Sequence, residues 1–196
     1  LDLSGWDVSS VTDFSSMFAG CSSLESLSLG EWTASNGRNM SRMFYGCSSL
    51  SNLDLSSLSV GAASNLSSMF SGCKQLAELD LFNWSISGDL SYMFDGCTSL
   101  HTVNLSNVSA QAITSLAYVF QGCSSLESLD LSAWNVAGSA DLTSMLSGCS
   151  SLRSVNLAGW GVTDKTPCSN LLLGCSSLES LDLSGWNLAV VRSTLD

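Results

Sequence analysis

The apolar positions of this chain follow one beat that recurs along its length. The run L-x-x-[LV]-x-L appears as Leu24/Leu27/Leu29, Leu50/Leu53/Leu55, Leu76/Leu79/Leu81, Leu100/Val103/Leu105, Leu126/Leu129/Leu131, Leu152/Val155/Leu157 and Leu178/Leu181/Leu183. Its last two apolar positions flank a polar one, and period two marks a strand with one buried face. Three residues beyond the last Leu stands a large apolar group: Trp6, Trp32, Leu58, Trp84, Val108, Trp134, Trp160, Trp186. Upstream of each run the period changes. Phe14/Met17/Phe18, Met40/Met43/Phe44 and Leu66/Met69/Phe70 are spaced i, i+3, i+4, which predicts an apolar stripe on a short helix or 3₁₀ turn. A glycine such as Gly20, Gly46 or Gly72 then stands where a C-terminal cap needs the left-handed conformation.

Seven cysteines keep the same time. Cys21, Cys47, Cys73, Cys97, Cys123, Cys149 and Cys175 are separated by 26, 26, 24, 26, 26 and 26 residues. A period of this size predicts a solenoid, whose rungs bury their apolar faces only against one another. The expected fold is an α/β repeat solenoid that is leucine-rich-repeat-like. It has a single parallel β-sheet on one face and short helices or 3₁₀ turns on the other. Residues 1–196 form one such unit of about seven to eight rungs of 24–26 residues, with strands about 4.8 Å apart and a sheet about 34 Å across. The short step has a place in this scheme. Leu81 to Leu90 spans nine residues where other rungs have eleven, so the deletion is expected in the turn between strand and helix.

Composition agrees with a folded core, since 45% of residues are hydrophobic despite the wealth of serine. Six Lys+Arg against 17 Asp+Glu give a net charge of -11. Such a surface repels phosphate backbones and anionic lipid, which argues against nucleic-acid or membrane-surface binding. No apolar run approaches the roughly 18 residues of a membrane span, so no membrane insertion by this segment is expected. The chain opens mid-pattern as LDLSGW and reads as a fragment of a longer protein.

The element M-F-x-G-C precedes the leucine run as MFAGC (17–21), MFYGC (43–47), MFSGC (69–73) and MFDGC (93–97). With the C-x-x-L-x-x-L-x-L beat it resembles the BspA-like leucine-rich repeats of bacterial surface proteins, over essentially the whole chain. The resemblance implies a right-handed, arc-shaped solenoid, exported and held at the cell surface or secreted. It further implies a non-catalytic binding or adhesion module for a protein or glycan on a host, a matrix or a neighbouring cell. Trp stands where the usual repeat places Asn or Cys after the strand, so no asparagine ladder is expected.

Candidate chemistry is sparse. Each cysteine recurs beside an inward Leu, where a free thiol behaves as a small hydrophobe, and a column of buried thiols is favoured over disulfides. Cys168 takes the slot of Leu116 and Leu142 and is read as a core substitution. His101, four residues after Cys97, sits in a variable slot and is read as a surface residue rather than half of a Cys–His pair. The chain is therefore not expected to be an enzyme. One column points to the open face of the sheet: Asp54, Asp80, Asn104, Asp130, Asn156 and Asp182. It reads either as a ladder bonded to flanking serines or as a site for a basic ligand or a cation. No cofactor is expected, with calcium as the alternative: a structural spacer using the Asp/Asn ladder. Calcium wants six to eight oxygens, which a single-file column does not readily supply. Phe82 interrupts a neighbouring slot held elsewhere by Ser, Gly or Ala and is a candidate contact residue.

Overall fold

The computed structural model describes residues 1–58, 60 and 63–187; the end of the expected 1–196 unit, 188–196, lies outside them. Ten short strands follow in order: β1 (Ser26–Leu27), β2 (Asn52–Leu53), β3 (Glu78–Asp80), β4 (Ser85–Asp89), β5 (Thr102–Asn104), β6 (Ser109–Ser115), β7 (Ser128–Asp130), β8 (Val136–Asp141), β9 (Ser154–Asn156) and β10 (Ser180–Asp182). All pairings are parallel and follow the rung period, as in Leu27↔Leu53, Leu79↔Val103 and Leu129↔Val155↔Leu181. The chain is a parallel β-solenoid. Most of its leucines, cysteines, phenylalanines and tryptophans form one continuous core from Leu3 to Trp186.

The face opposite the leucine strands departs from expectation. Among the described residues there is no helix; stacked turns take its place. Two residues into each stripe the backbone turns left-handed, at Ser16, Arg42, Ser68, Tyr92, Tyr118, Ser144 and Asn170. A right-handed helix cannot pass such a residue. Each costs about 1 kcal/mol or more, and inter-rung hydrogen bonds offset that cost. The amides of Phe14, Ser16, Phe18 and Gly20 donate to the carbonyls of Asn39, Ser41, Met43 and Tyr45, and equivalent sets recur at every step up to Gly148 and Leu173. The intervening amides close local turns, as Met43 to Met40 and Tyr45 to Arg42. A helix would satisfy its amides internally and leave none for the next rung. The i, i+3, i+4 spacing still does its work, burying Met43 and Phe44 together. Phe18, Phe44, Phe70, Phe94 and Phe120 stack with centroids 5.5, 5.5, 5.6 and 5.0 Å apart. Gly72 shows why the turn ends in glycine: its φ is 77°, a left-handed conformation that side chains with a Cβ rarely adopt.

The expected single sheet is also divided. On the leucine face β1–β2, β3–β5 and β7–β9–β10 form separate ladders. Among the described residues no backbone hydrogen bond joins β2 to β3 or β5 to β7. The turn side is thus bonded at every step, and the leucine side is the looser of the two. A second sheet, β4–β6–β8, runs along the flank between them. Its inward residues, Ile86, Ala110, Ile113, Val136 and Ala140, are buried. The two-residue deletion lies here, in a strand rather than a turn. Five-residue β4 faces seven-residue β6 through shifts at Ser87/Gly88 and Gly88/Asp89, with Ala112 left-handed. Bulges absorb the mismatch. Gly88 is needed at this point, since a Cβ there would fall 2.1 Å from the Ser64 carbonyl oxygen.

Candidate functional site

The acidic column is built by the corner that ends each leucine strand. Each member turns one side-chain oxygen back onto the amide two residues later. Asp54 Oδ1 accepts from Ser56 at 2.9 Å, Asp80 from Phe82 at 2.8 Å and Asn104 from Ser106 at 3.0 Å. Asp130 accepts from Ser132 at 2.9 Å, Asn156 from Ala158 at 3.1 Å and Asp182 from Ser184 at 2.8 Å. A strand's last amide needs an acceptor once the chain turns away, and Asp or Asn supplies one locally. The amide and then the hydroxyl of Ser56 hold Asp54 below the ordinary 3.8, as Ser132 does for Asp130. For Asp182 the Ser184 hydroxyl leads and its amide follows.

The column is therefore first a structural ladder. It is also an ordered array, because one oxygen of each member is held to its own corner. Asn104 Nδ2 donates to Asp80 Oδ1 at 2.9 Å, so amide and carboxylate zip β5 to β3. At the step from Asp54 to Asp80 two carboxylates succeed one another, and there the ladder is split. Asp54, Asp80, Asp130 and Asp182 are exposed, and Asn104 and Asn156 are half-buried. Glu25, Glu78, Glu127 and Glu179 add negative charge beside them. Two basic side chains lie against these glutamates: Arg153 Nη1 is 3.0 Å from Glu179, and His101 Nε2 is 3.4 Å from Glu78. Open troughs run over Ser128, Asp130, Asn156 and Asp182, and over the gap between β5 and β7.

Phe82 stands at the rim of this face, 49% exposed. Its amide is tied to Asp80, and the turn Leu81–Trp84 closes behind it, with left-handed Asn83 and a 3.0 Å bond from the Trp84 amide to the Leu81 carbonyl. Asp80 and Phe82 thus share one rigid corner.

Sequence reasoning missed a second capped column. Asp13, Asn39, Asn65, Asp89 and Asp141 accept from the amides of Ser15, Ser41, Ser67, Ser91 and Thr143. The signal was present as [DN]-x-[ST] at the start of these five apolar stripes.

The thiols lie where expected, with a correction at the ends. Cys47, Cys73, Cys97, Cys123 and Cys149 are fully buried and unbridged, whereas Cys21 is exposed and Cys175 half-buried. Each buried Sγ–H points at a carbonyl of the rung before: Cys73 to Phe44 at 3.2 Å, Cys123 to Phe94 at 3.1 Å. Burial pushes Cys47 up to about 11 and Cys97 and Cys149 to about 12. Such thiols are poor nucleophiles. Cys97 faces the core and donates to Phe70, so it makes no pair with exposed His101. Tryptophan does what the missing asparagine ladder would do. The indoles of Trp32, Trp160 and Trp186 donate to the carbonyls of Leu3, Leu131 and Leu157, at 3.0, 3.1 and 2.9 Å. Among the described residues no three His, Cys, Asp or Glu side chains gather as a set that could hold a metal ion. No helix among them is long and apolar enough to cross a membrane.

Leucine strands repeated at a nearly constant period, with every rung bonded to the next, define a parallel β-solenoid of leucine-rich rungs. The family described as "Mycoplasma protein of unknown function, DUF285" matches residues 1–89 and again 88–195, and the chain belongs to it. No curated protein matches the chain. Among solved structures it is similar to a leucine-rich repeat protein from Bacteroides ovatus, at 21% identity and a TM-score of 0.44. That likeness covers 81% of this chain and 46% of the other, so the chain spans less than half of that protein's length.

Proposed function

We propose that this chain is a non-catalytic binding module, displayed at a cell surface or secreted, that recognises a protein or glycan partner through its acidic leucine-strand face. BspA-like surface repeats remain the family resemblance behind the adhesive reading. The observation that supports the choice of face is the rigid column Asp54, Asp80, Asn104, Asp130, Asn156 and Asp182, each member fixed by a hydrogen bond to its own corner. Pre-organised charge lowers the ordering cost of association. Its sign favours a basic partner and binding that weakens as salt rises.

Protein and glycan arrays probed with wild type and with a combined Asp54→Asn, Asp130→Asn, Asp182→Asn variant test this reading. Asparagine keeps each oxygen acceptor and removes the charge. The expected result is a partner lost by the variant and by wild type at high salt. Retention of every partner by the variant overturns the choice of face. The second reading, a calcium-dependent spacer, predicts instead a melting temperature that rises with added calcium and falls with chelator.

A further inference from the structure

Independently of the leucine-strand face, we infer that the turn face carries a docking site for one arginine side chain of a partner protein, formed by the open ring face of Tyr92 and the carboxylate of Asp95. The left-handed slot of successive rungs holds Ser16, Arg42, Ser68, Tyr92, Tyr118, Ser144 and Asn170. Backbone bonds set three of these in register: the Ser68 amide donates to the Ser91 carbonyl, and the Tyr92 amide to the Ala117 carbonyl. The rings of Tyr92 and Tyr118 lie 4° from parallel with centroids 4.6 Å apart, so Tyr118 covers one face of Tyr92. Tyr92 is nonetheless 39% exposed. On its other side stands the short side chain of Ser68, which leaves the second ring face open.

Asp95 leans to that same side. Its slot is held in the rung before by Ser71, and Asp95 Oδ2 accepts from the Ser71 hydroxyl at 3.3 Å. Desolvation first, then Tyr118 and Asp95, raise the Tyr92 hydroxyl above its ordinary 10.0, so the carboxylate lies within electrostatic reach of the ring. Asp95 is half-buried, and among the described residues no basic side chain forms an ion pair with it. A flat cation complements both parts. A guanidinium lays its plane on the π face while its N–H groups donate to the carboxylate. An apolar side chain would cover the ring but desolvate Asp95 further without giving it a partner. The chain makes the first of these contacts within itself two rungs earlier on the same face, where Arg42 Cζ lies 4.6 Å from the centroid of the Tyr45 ring.

Three capped Gly/Ser peptides that differ only in a central Arg, citrulline or Lys test the site, titrated into isotope-labelled protein and followed by NMR. Citrulline keeps the shape of arginine and lacks its charge. Wild type should bind the Arg peptide at least about tenfold more tightly than the citrulline peptide, with the largest shifts at Tyr92 and Asp95. Tyr92→Ser installs the residue of the Ser68 and Ser144 slots, and Asp95→Asn still accepts from Ser71. Each should erase the preference, with melting curves showing whether both variants are folded. The combined Asp54→Asn, Asp130→Asn, Asp182→Asn variant removes more charge and should keep the preference, which separates a site from general attraction to an acidic chain. Loss of the preference in that combined variant overturns the site, as does its survival in both single variants. Equal affinity of wild type for Arg and citrulline, or no shift at Tyr92 with millimolar Arg peptide, overturns it too. A Lys peptide bound as tightly as the Arg peptide overturns the guanidinium stack.

Discussion

Cys123 allows the thiol column to be tested where intuition and structure disagree. The usual isosteric replacement for cysteine is serine, which this chain already uses at many positions. Cys123 is fully buried, and its Sγ reaches the Phe94 carbonyl at 3.1 Å. That carbonyl also accepts the Cys97 amide at 3.1 Å, so removing the thiol leaves no backbone acceptor unpaired. Cys123→Ala then loses buried sulfur contacts and a weak bond, about 1–2 kcal/mol. Cys123→Ser behaves differently. A hydroxyl oxygen sits nearer its Cβ than sulfur does, and falls short of the roughly 2.5–3.0 Å an O–H···O bond needs. Serine therefore buries an unsatisfied hydroxyl, which adds about 1–3 kcal/mol. For a chain of this length the alanine variant should melt about 3–6 °C below wild type and the serine variant roughly twice as far. Urea unfolding followed by tryptophan fluorescence gives the free energies directly, with an unchanged slope confirming the same transition. Cys21→Ser, at an exposed thiol, should be silent within about 0.5 kcal/mol. A Cys123→Ser protein as stable as Cys123→Ala, or more so, refutes the argument: the column would then be held by donation rather than by burial.

Native thiol counting should find Cys21 reacting fast, Cys175 slowly, and Cys47, Cys73, Cys97, Cys123 and Cys149 only after denaturation; prompt labelling of most thiols would contradict the packing. Leu129→Asp should lower stability by several kcal/mol by burying an unpaired charge, while Ser128→Asp on the exposed side of the same strand is nearly silent; equal losses would refute a strand with one buried and one exposed face. Asp95 is half-buried and desolvation raises it above the ordinary 3.8, so its ionised form destabilises the fold at neutral pH. Asp95→Asn, which can still accept from Ser71, should raise the melting temperature at pH 7, and the gain should vanish in acid, where both side chains are neutral. The lowered carboxyls of Asp2, Asp7, Asp13, Asp54, Asp130 and Asp182 act in the opposite sense. The stability they add is complete above pH 3.8 and lost as pH falls through their lower folded values, so wild-type melting should hold from neutral down to about pH 5 and drop below about pH 4. A flat profile to pH 2 would remove the caps from the account.

How much of this was legible beforehand depends on which force set each element. Burial reads directly from spacing, so the inward positions Leu27, Leu79, Leu129, Phe44 and Cys123 were assigned correctly from the beat alone. Backbone conformation does not. The i, i+3, i+4 spacing of Met40, Met43 and Phe44 fits a helix and also fits a left-handed turn at Arg42, because both bury the same three side chains. Only the hydrogen bonds to the next rung decide between them, and those are non-local. The flanking sheet carried a signal in the alternations Trp84-x-Ile86 and Trp134-x-Val136, masked by their brevity. The acidic column was placed on the correct face, but the bond that fixes Asp80 to Phe82 is a property of the corner and not of either residue.

In a coil built this way structural duties fall on fixed slots, and the departures are the informative positions. A side-chain donor placed 29 residues after its acceptor, one period plus three, recurs for both Cys and Trp. The thiol bond recurs from Cys47 to Cys175, whereas the indole bond is made by Trp32, Trp160 and Trp186, so a rung without the indole donor still stacks through its thiol. Leu58 is such an omission: Cys47 of the same rung still donates to Phe18 at 3.1 Å. The missing indole therefore costs the fold little. Lys74 in the Ser22/Ser48 slot, Phe82 in the Ser/Gly/Ala slot, and the 24-residue step fall in this stretch as well. Val108 breaks the Trp column in the same way two rungs on, so the departures recur along the coil rather than at one place.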